Sequence, residues 1–157
     1  MILSYPSPEE IKTAFVKALD ASSRDSRIFI PSEIENYFAG LFLSQITFPK
    51  DKSLQERLAG IPSTRHQPAE ASCHLRDLAD FIVYHGFIAG VPTRRTDHMP
   101  FKNRFFLELA RGFYDDAGHI GRQANIPNAA VLIVIADQLP KYTPALQNAT
   151  SYLRSAA

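Results

Sequence analysis

The stretch Pro127-Asn128-Ala129-Ala130-Val131-Leu132-Ile133-Val134-Ile135-Ala136-Asp137-Gln138-Leu139-Pro140 decides the fold class. Its centre, Val131 to Ile135, is an unbroken aliphatic run that suits a buried strand as well as a buried helix. A strand must find a neighbour for its backbone N–H and C=O groups, and an isolated one cannot. No second strand candidate stands elsewhere in the 157 residues. A helix satisfies its own backbone, and proline is favoured in its first turn. The stretch therefore reads as a helix opened by Pro127 and reaching Leu139, with Pro140 as its stop.

The flanking sequence repeats the same signature. Ser7-Pro8-Glu9-Glu10 joins a capping serine to a first-turn proline and a carboxylate at the capping-box position. Ile11, Ala14, Phe15, Ala18 and Leu19 then recur at helical spacing, which predicts a helix over 8–20 and a polar loop over 21–27. Ser32-Glu33-Ile34-Glu35 starts a second helix, 32–47, carrying Ile34, Tyr37, Phe38, Leu41 and Phe42 in rhythm. A short helix is expected over 53–59, stopped by Gly60. The fourth, about 69–89, begins amphipathic, with Ala71, Leu75, Leu78 and Ala79 inward and Arg76, Asp77 and Asp80 outward. From Phe81 to Val91 it turns apolar on every side, the mark of a buried central helix, and Gly86 would admit a close neighbour. A fifth helix is expected from Pro100 to about 117, stopped by Gly118, and a seventh from the Thr143-Pro144 cap. The expected fold is a single all-α domain, 1–157, of six or seven helices around the helix at 69–89.

Seventeen Lys and Arg against sixteen Asp and Glu leave a formal charge of +1. A nucleic-acid binder usually carries a marked basic excess, so that class is disfavoured. A chain of this length can bury about 70% of its unfolded surface, enough for a core without staples. The single cysteine, Cys73, excludes an intramolecular disulfide. No basic, then apolar, leader opens the sequence. The longest apolar run, Ala129 to Ala136, is far short of the roughly 20 residues a membrane helix needs. The expectation is a cytoplasmic protein with no cofactor and no membrane attachment.

Several polar groups could carry chemistry, each with an ordinary alternative. Arg104, Glu108, Arg111 and Asp115 form one stripe of alternating sign, either a rail for a charged partner or a solvated helix face. Asp115 and Asp116 lie four and three residues before His119, spacings that can present two metal ligands together. Bundle metal sites need more, two Glu-x-x-His elements and further carboxylates, and the expected stop at Gly118 leaves His119 beside helix-end carbonyls. His85 lies among apolar residues as a ligand, an acid/base group or a core histidine held by a carbonyl. Metal binding is thus not favoured, with Asp116, His119 and His85 its candidates. Arg94 and Arg95, with His98, Lys102 and Arg104, form a basic cluster able to hold an anion at a helix start. No phosphate loop, nucleophile elbow, Cys-x-x-Cys or His-Glu-x-x-His is present.

The block Leu75-Arg76-Asp77-Leu78-Ala79-Asp80, with Val83-Tyr84 and Gly86-Phe87, resembles a family of uncharacterised all-helical bacterial proteins. Members carry Leu-Arg-x-Leu-Gly-Asp, an apolar helix and a Gly-Phe pair, then an aromatic-rich helix, which Phe101 to Tyr114 is similar to. Ala79 replaces the family's glycine, and Gly86-Phe87 comes one residue early. The resemblance implies an all-α fold and no particular activity. Seventeen aromatics exceed what one apolar stripe per helix requires. The surplus predicts a non-catalytic interaction or scaffolding module, a homodimer with Phe42 and Phe106 as contacts, unless both simply fill the core. The alternative is a ligand-binding or metal-assisted helical enzyme near His85 and the Asp115–His119 end of its helix.

Overall fold

The structure, a computed structural model, describes residues 7–47, 68–88 and 104–156, and every element among them is helical. In chain order these are α1 (Pro8–Asp25), α2 (Ser32–Thr47), α3 (Pro68–Val83), α4 (Arg104–Gln123) and α5 (Ala129–Ala156). A five-residue π-helical turn, Tyr84–Ile88, extends α3. The expected helix over 53–59 and the basic residues Arg94, Arg95, His98 and Lys102 lie outside the described residues. The aliphatic run Val131 to Ile135 is helical, within α5.

Neighbouring helices form a closed circuit. α3 packs on α4, α4 on α5, α5 on α1, and α1 on α2. The π-turn closes the circuit by touching both α5 and α2. Phe15, Phe38, Leu78, Ile82, Ile88, Tyr114, Ile135, Leu139 and Leu146 are among its fully buried large side chains. The expectation that Phe81 to Val91 is buried on every side holds for Phe81, Ile82, Val83, Phe87 and Ile88, whereas Tyr84 and His85 are only partly buried and residues 89–91 lie outside the described residues.

Three expected helix boundaries are corrected. α1 continues through 21–25 because two serines there are used inward: Ser22 Oγ donates to the Ala145 carbonyl at 2.7 Å, and Ser23 Oγ to that of Asp20. It ends in a Schellman closure, Ile28 N–H to the Ser23 carbonyl and Arg27 N–H to that of Arg24, with Arg27 at φ 57°. α4 runs through Gly118 to Gln123 and closes the same way, Ile126 to Gly121 and Asn125 to Arg122, with Asn125 at φ 57°. Gly118 serves packing instead. A Cβ there would stand 2.5 Å from Ile133 Cγ1 and 3.0 Å from the Ala129 carbonyl oxygen. At Gly121 it would meet Ser72 Oγ at 2.9 Å. α4 thus sits close against α5 and α3, and Ser72 Oγ uses that proximity to reach the Ala117 carbonyl at 2.7 Å.

The third correction concerns Pro140 and Pro144, both inside the single 28-residue α5 rather than between two helices. Proline in a helix lacks the N–H that should serve the carbonyl four residues earlier. Pro140 therefore frees the Ala136 carbonyl, and Arg111 Nε of α4 donates to it at 2.7 Å. Pro144 frees the Pro140 carbonyl, and Thr143 Oγ1 donates to it at 3.2 Å. Each lost backbone bond has a replacement, so the helix continues.

Candidate functional site

The most unusual polar group among the described residues is Asp80. It lies on α3, one position out of phase with the apolar stripe, and faces the junction with α2 and α4. Tyr37 on α2 donates its hydroxyl to Asp80 Oδ1 at 2.6 Å, and Tyr114 on α4 donates to the same oxygen at 2.7 Å. The two rings meet edge to face at 6.2 Å. One carboxylate thereby satisfies two phenols from two different helices, as enclosed tyrosine hydroxyls require. Burial pushes the Asp80 carboxyl up from 3.8 to about 6, against the opposing pull of the Tyr114 and Tyr37 hydrogen bonds and the Arg76 charge. Burial and the adjacent Asp80 charge push both phenols well above their usual range. The trio is a hydrogen-bonded tie between three helices that changes charge near pH 6. Sequence spacing put Asp80 on the outer face and did not join it to either tyrosine. Two tyrosines in core register on separate helices, each needing an acceptor, were the available signal.

Glu35 is a second buried carboxyl. It is only 8% exposed, and its Oε2 has no hydrogen-bond partner. Burial and the Asp20 charge raise its pKa, partly countered by Arg24. The capping-box role expected for it is displaced. The Pro31 carbonyl accepts from both Ile34 and Glu35 N–H, so α2 is capped through the backbone.

The residues singled out by spacing fall in scattered places. Asp115 and His119 approach each other at i, i+4 spacing, Oδ1 to Nε2 at 3.4 Å, with both side chains about half exposed. Asp116 is exposed on the same helix. His85 packs against the Phe81 ring at 4.4 Å and edge-on to Tyr84 at 5.1 Å. Among the described residues, no three His, Cys, Asp or Glu side chains are grouped to hold a metal. The stripe Arg104, Glu108, Arg111, Asp115 is not uniform. Arg111 pairs with Glu108 at 3.1 Å, but its Nε serves the Pro140 site described above, so it belongs to the α4–α5 contact. Phe106 is 7% exposed and sits in the core, and Phe42 is half-buried, stacked on Phe15 at 4.8 Å. Phe106 therefore spends its apolar area inside one chain, and Phe42 spends part of its own there. Among the described residues, the exposed aromatics are Phe29 at 81% and Phe105 at 66%.

A groove of about 740 Å³ opens between α1 and the end of α5. Ala14, Ala18, Ala21 and Leu153 supply apolar lining, and Glu10 and Lys17 are among its charged residues. A smaller cleft between α4 and α5 lies beside Arg111 and Asp137. Comparison with family models, curated proteins and solved structures returns no match to this chain.

Proposed function

We propose that the chain is a non-catalytic cytoplasmic interaction module that assembles as a homodimer. The observation carrying this reading is the apolar groove along α1, open in the single chain while the core aromatics are used internally. Sizeable exposed apolar surfaces usually mark partner sites, and the commonest soluble assembly is a two-fold dimer. In this reading the helix at about 69–89 is the centre of the scaffold. The contacts of α3 with α4, and of its π-turn with α2 and α5, support that role. The likeness of residues 75–87 to the all-helical bacterial family supports the same scaffold and assigns no chemistry. Sedimentation velocity on purified protein at tens of micromolar tests the proposal. A dimer mass is expected, and a monomer overturns it.

The alternative, a ligand-binding or metal-assisted enzyme around His85 and the Asp115–His119 pair, is favoured by one observation. Asp80, on the helix that leads into His85, has a carboxyl that burial raises to about 6, a shift of the kind often found at functional sites. Elemental analysis after purification without a histidine tag tests the metal form. Near-stoichiometric metal supports it, and well under one metal per chain removes it.

A further inference from the structure

We propose that a second copy of the chain docks antiparallel on α1, centred between Thr13 and Ala14, with Glu10 of each copy facing Lys17 of the other. This rests on the homodimer reading and specifies its surface. Glu10, Thr13, Ala14 and Lys17 are exposed, line the groove, and follow the i, i+3, i+4, i+7 spacing of a single helix face. Their order is acidic, small, small, basic. In a two-fold antiparallel pairing, positions equidistant from the midpoint meet. Thr13 then faces Ala14, and Glu10 faces Lys17 twice. A parallel pairing would set Glu10 on Glu10 and Lys17 on Lys17, so the charges select one orientation.

The midpoint residues are small enough for the helix axes to approach to the 8–10 Å of ordinary packing. α1 also brings a companion. Ser22 bonds the Ala145 carbonyl, and Tyr152 and Leu153 line the groove together with α1, so α5 runs beside it. Two such layers facing each other make a four-helix contact, with Ala21 and Leu153 supplying apolar area. Exposed ion pairs contribute little individually, so here the groove supplies affinity and the charges supply register.

The experiment is a charge swap followed by sedimentation velocity, with circular dichroism confirming that each variant is helical. Glu10→Lys and Lys17→Glu each set like charges opposite one another twice, and each should weaken the dimer by roughly tenfold or more. The double variant Glu10→Lys/Lys17→Glu should restore it. Ala14→Arg, at the midpoint, should give monomer. A wild-type monomer overturns both this surface and the homodimer reading. A dimer indifferent to the single swaps and to Ala14→Arg overturns this surface alone, and a double variant that stays monomeric overturns the register.

Discussion

Arg111→Met removes the donor that serves the Ala136 carbonyl while keeping an unbranched side chain of similar reach. An acceptor left unsatisfied in the interior costs about 1–3 kcal/mol. The Arg111 side chain is 31% exposed, so water reaches the vicinity and the lower part of that range applies, about 1–1.5 kcal/mol. Loss of the Glu108 pair adds only about 0.2–0.5 kcal/mol. The substitution should therefore lower stability by about 1.2–2 kcal/mol. In a Pro140→Ala background the outcome differs. Residue 140 regains its N–H, the Ala136 carbonyl returns to the helical ladder, and Arg111→Met should cost only the ion pair, about 0.5 kcal/mol. The effect of proline on the unfolded chain appears in both backgrounds and cancels. The expected coupling is about 1 kcal/mol, above the few tenths by which independent sites fail to add. Urea unfolding of the four proteins, with equal slopes as the check on comparability, measures it. An Arg111→Met cost that is the same with proline or alanine at 140 would refute the account of how α5 passes through Pro140.

Two further outcomes follow from the packing and the buried acid. Because the folded Asp80 pKa of about 6 exceeds its ordinary 3.8, the group's stabilisation is full below 3.8 and is lost as pH rises through about 6. At about 1.4 kcal/mol per pH unit that interval amounts to about 3 kcal/mol. Wild-type stability should fall relative to Asp80→Asn by up to that amount over this range, and parallel pH profiles would contradict the burial of the charge. Gly118→Ala should destabilise by about 1–3 kcal/mol despite better helix propensity, since its Cβ meets Ile133 Cγ1 and the Ala129 carbonyl. Gly112→Ala, with nothing within 4 Å, should stabilise by up to about 1 kcal/mol, so thermal melts of the pair should move in opposite directions.

Helix identity was legible wherever a local signal and the apolar period agreed. Ser7 Oγ does accept from Glu10 N–H, at 3.2 Å, and the aliphatic run Val131 to Ile135 is helical for want of a strand partner. Helix ends were legible only where the local rule met no tertiary competitor. Gly118 has the composition of a stop, but its missing side chain is used by Ile133 and Ala129, and the stop falls to Asn125 in a left-handed conformation. α1 ends on Arg27 in the same conformation, a residue with no turn preference to announce it. Pro140 looked terminal because the donor that rescues its neighbour, Arg111, lies on another helix. The Tyr37–Asp80–Tyr114 tie was hidden for a related reason. Each residue is unremarkable in its own helix, and the chemistry exists only where three helices meet.

The two polar ties on α5 should have separable consequences for assembly. Residues 145–153 are joined to α1 by the buried Ser22 hydroxyl and pack through Ala145, Ala149 and Ala18, all in the interior. Both walls of the groove therefore belong to one unit, α1 joined to the part of α5 beyond Pro140. Freeing the helix at Pro140 by Arg111→Met lets α4 shift against that unit without altering the distance between α1 and Leu153. Stability should fall while the dissociation constant of the proposed dimer stays within about twofold, a difference near 0.4 kcal/mol. Ser22→Val acts on the other tie. It removes the bond to the Ala145 carbonyl and places a branched side chain where 0% of the serine is exposed, so it must separate α1 from α5. The groove widens, and the dimer should weaken by about tenfold or more, beyond what the loss of folded protein explains. Analytical ultracentrifugation across a dilution series, at a temperature where both variants are fully folded, distinguishes the two. If Arg111→Met weakens association as much as Ser22→Val does, the groove walls do not move as one unit, and assembly depends on the whole of α5 rather than on its junction with α1.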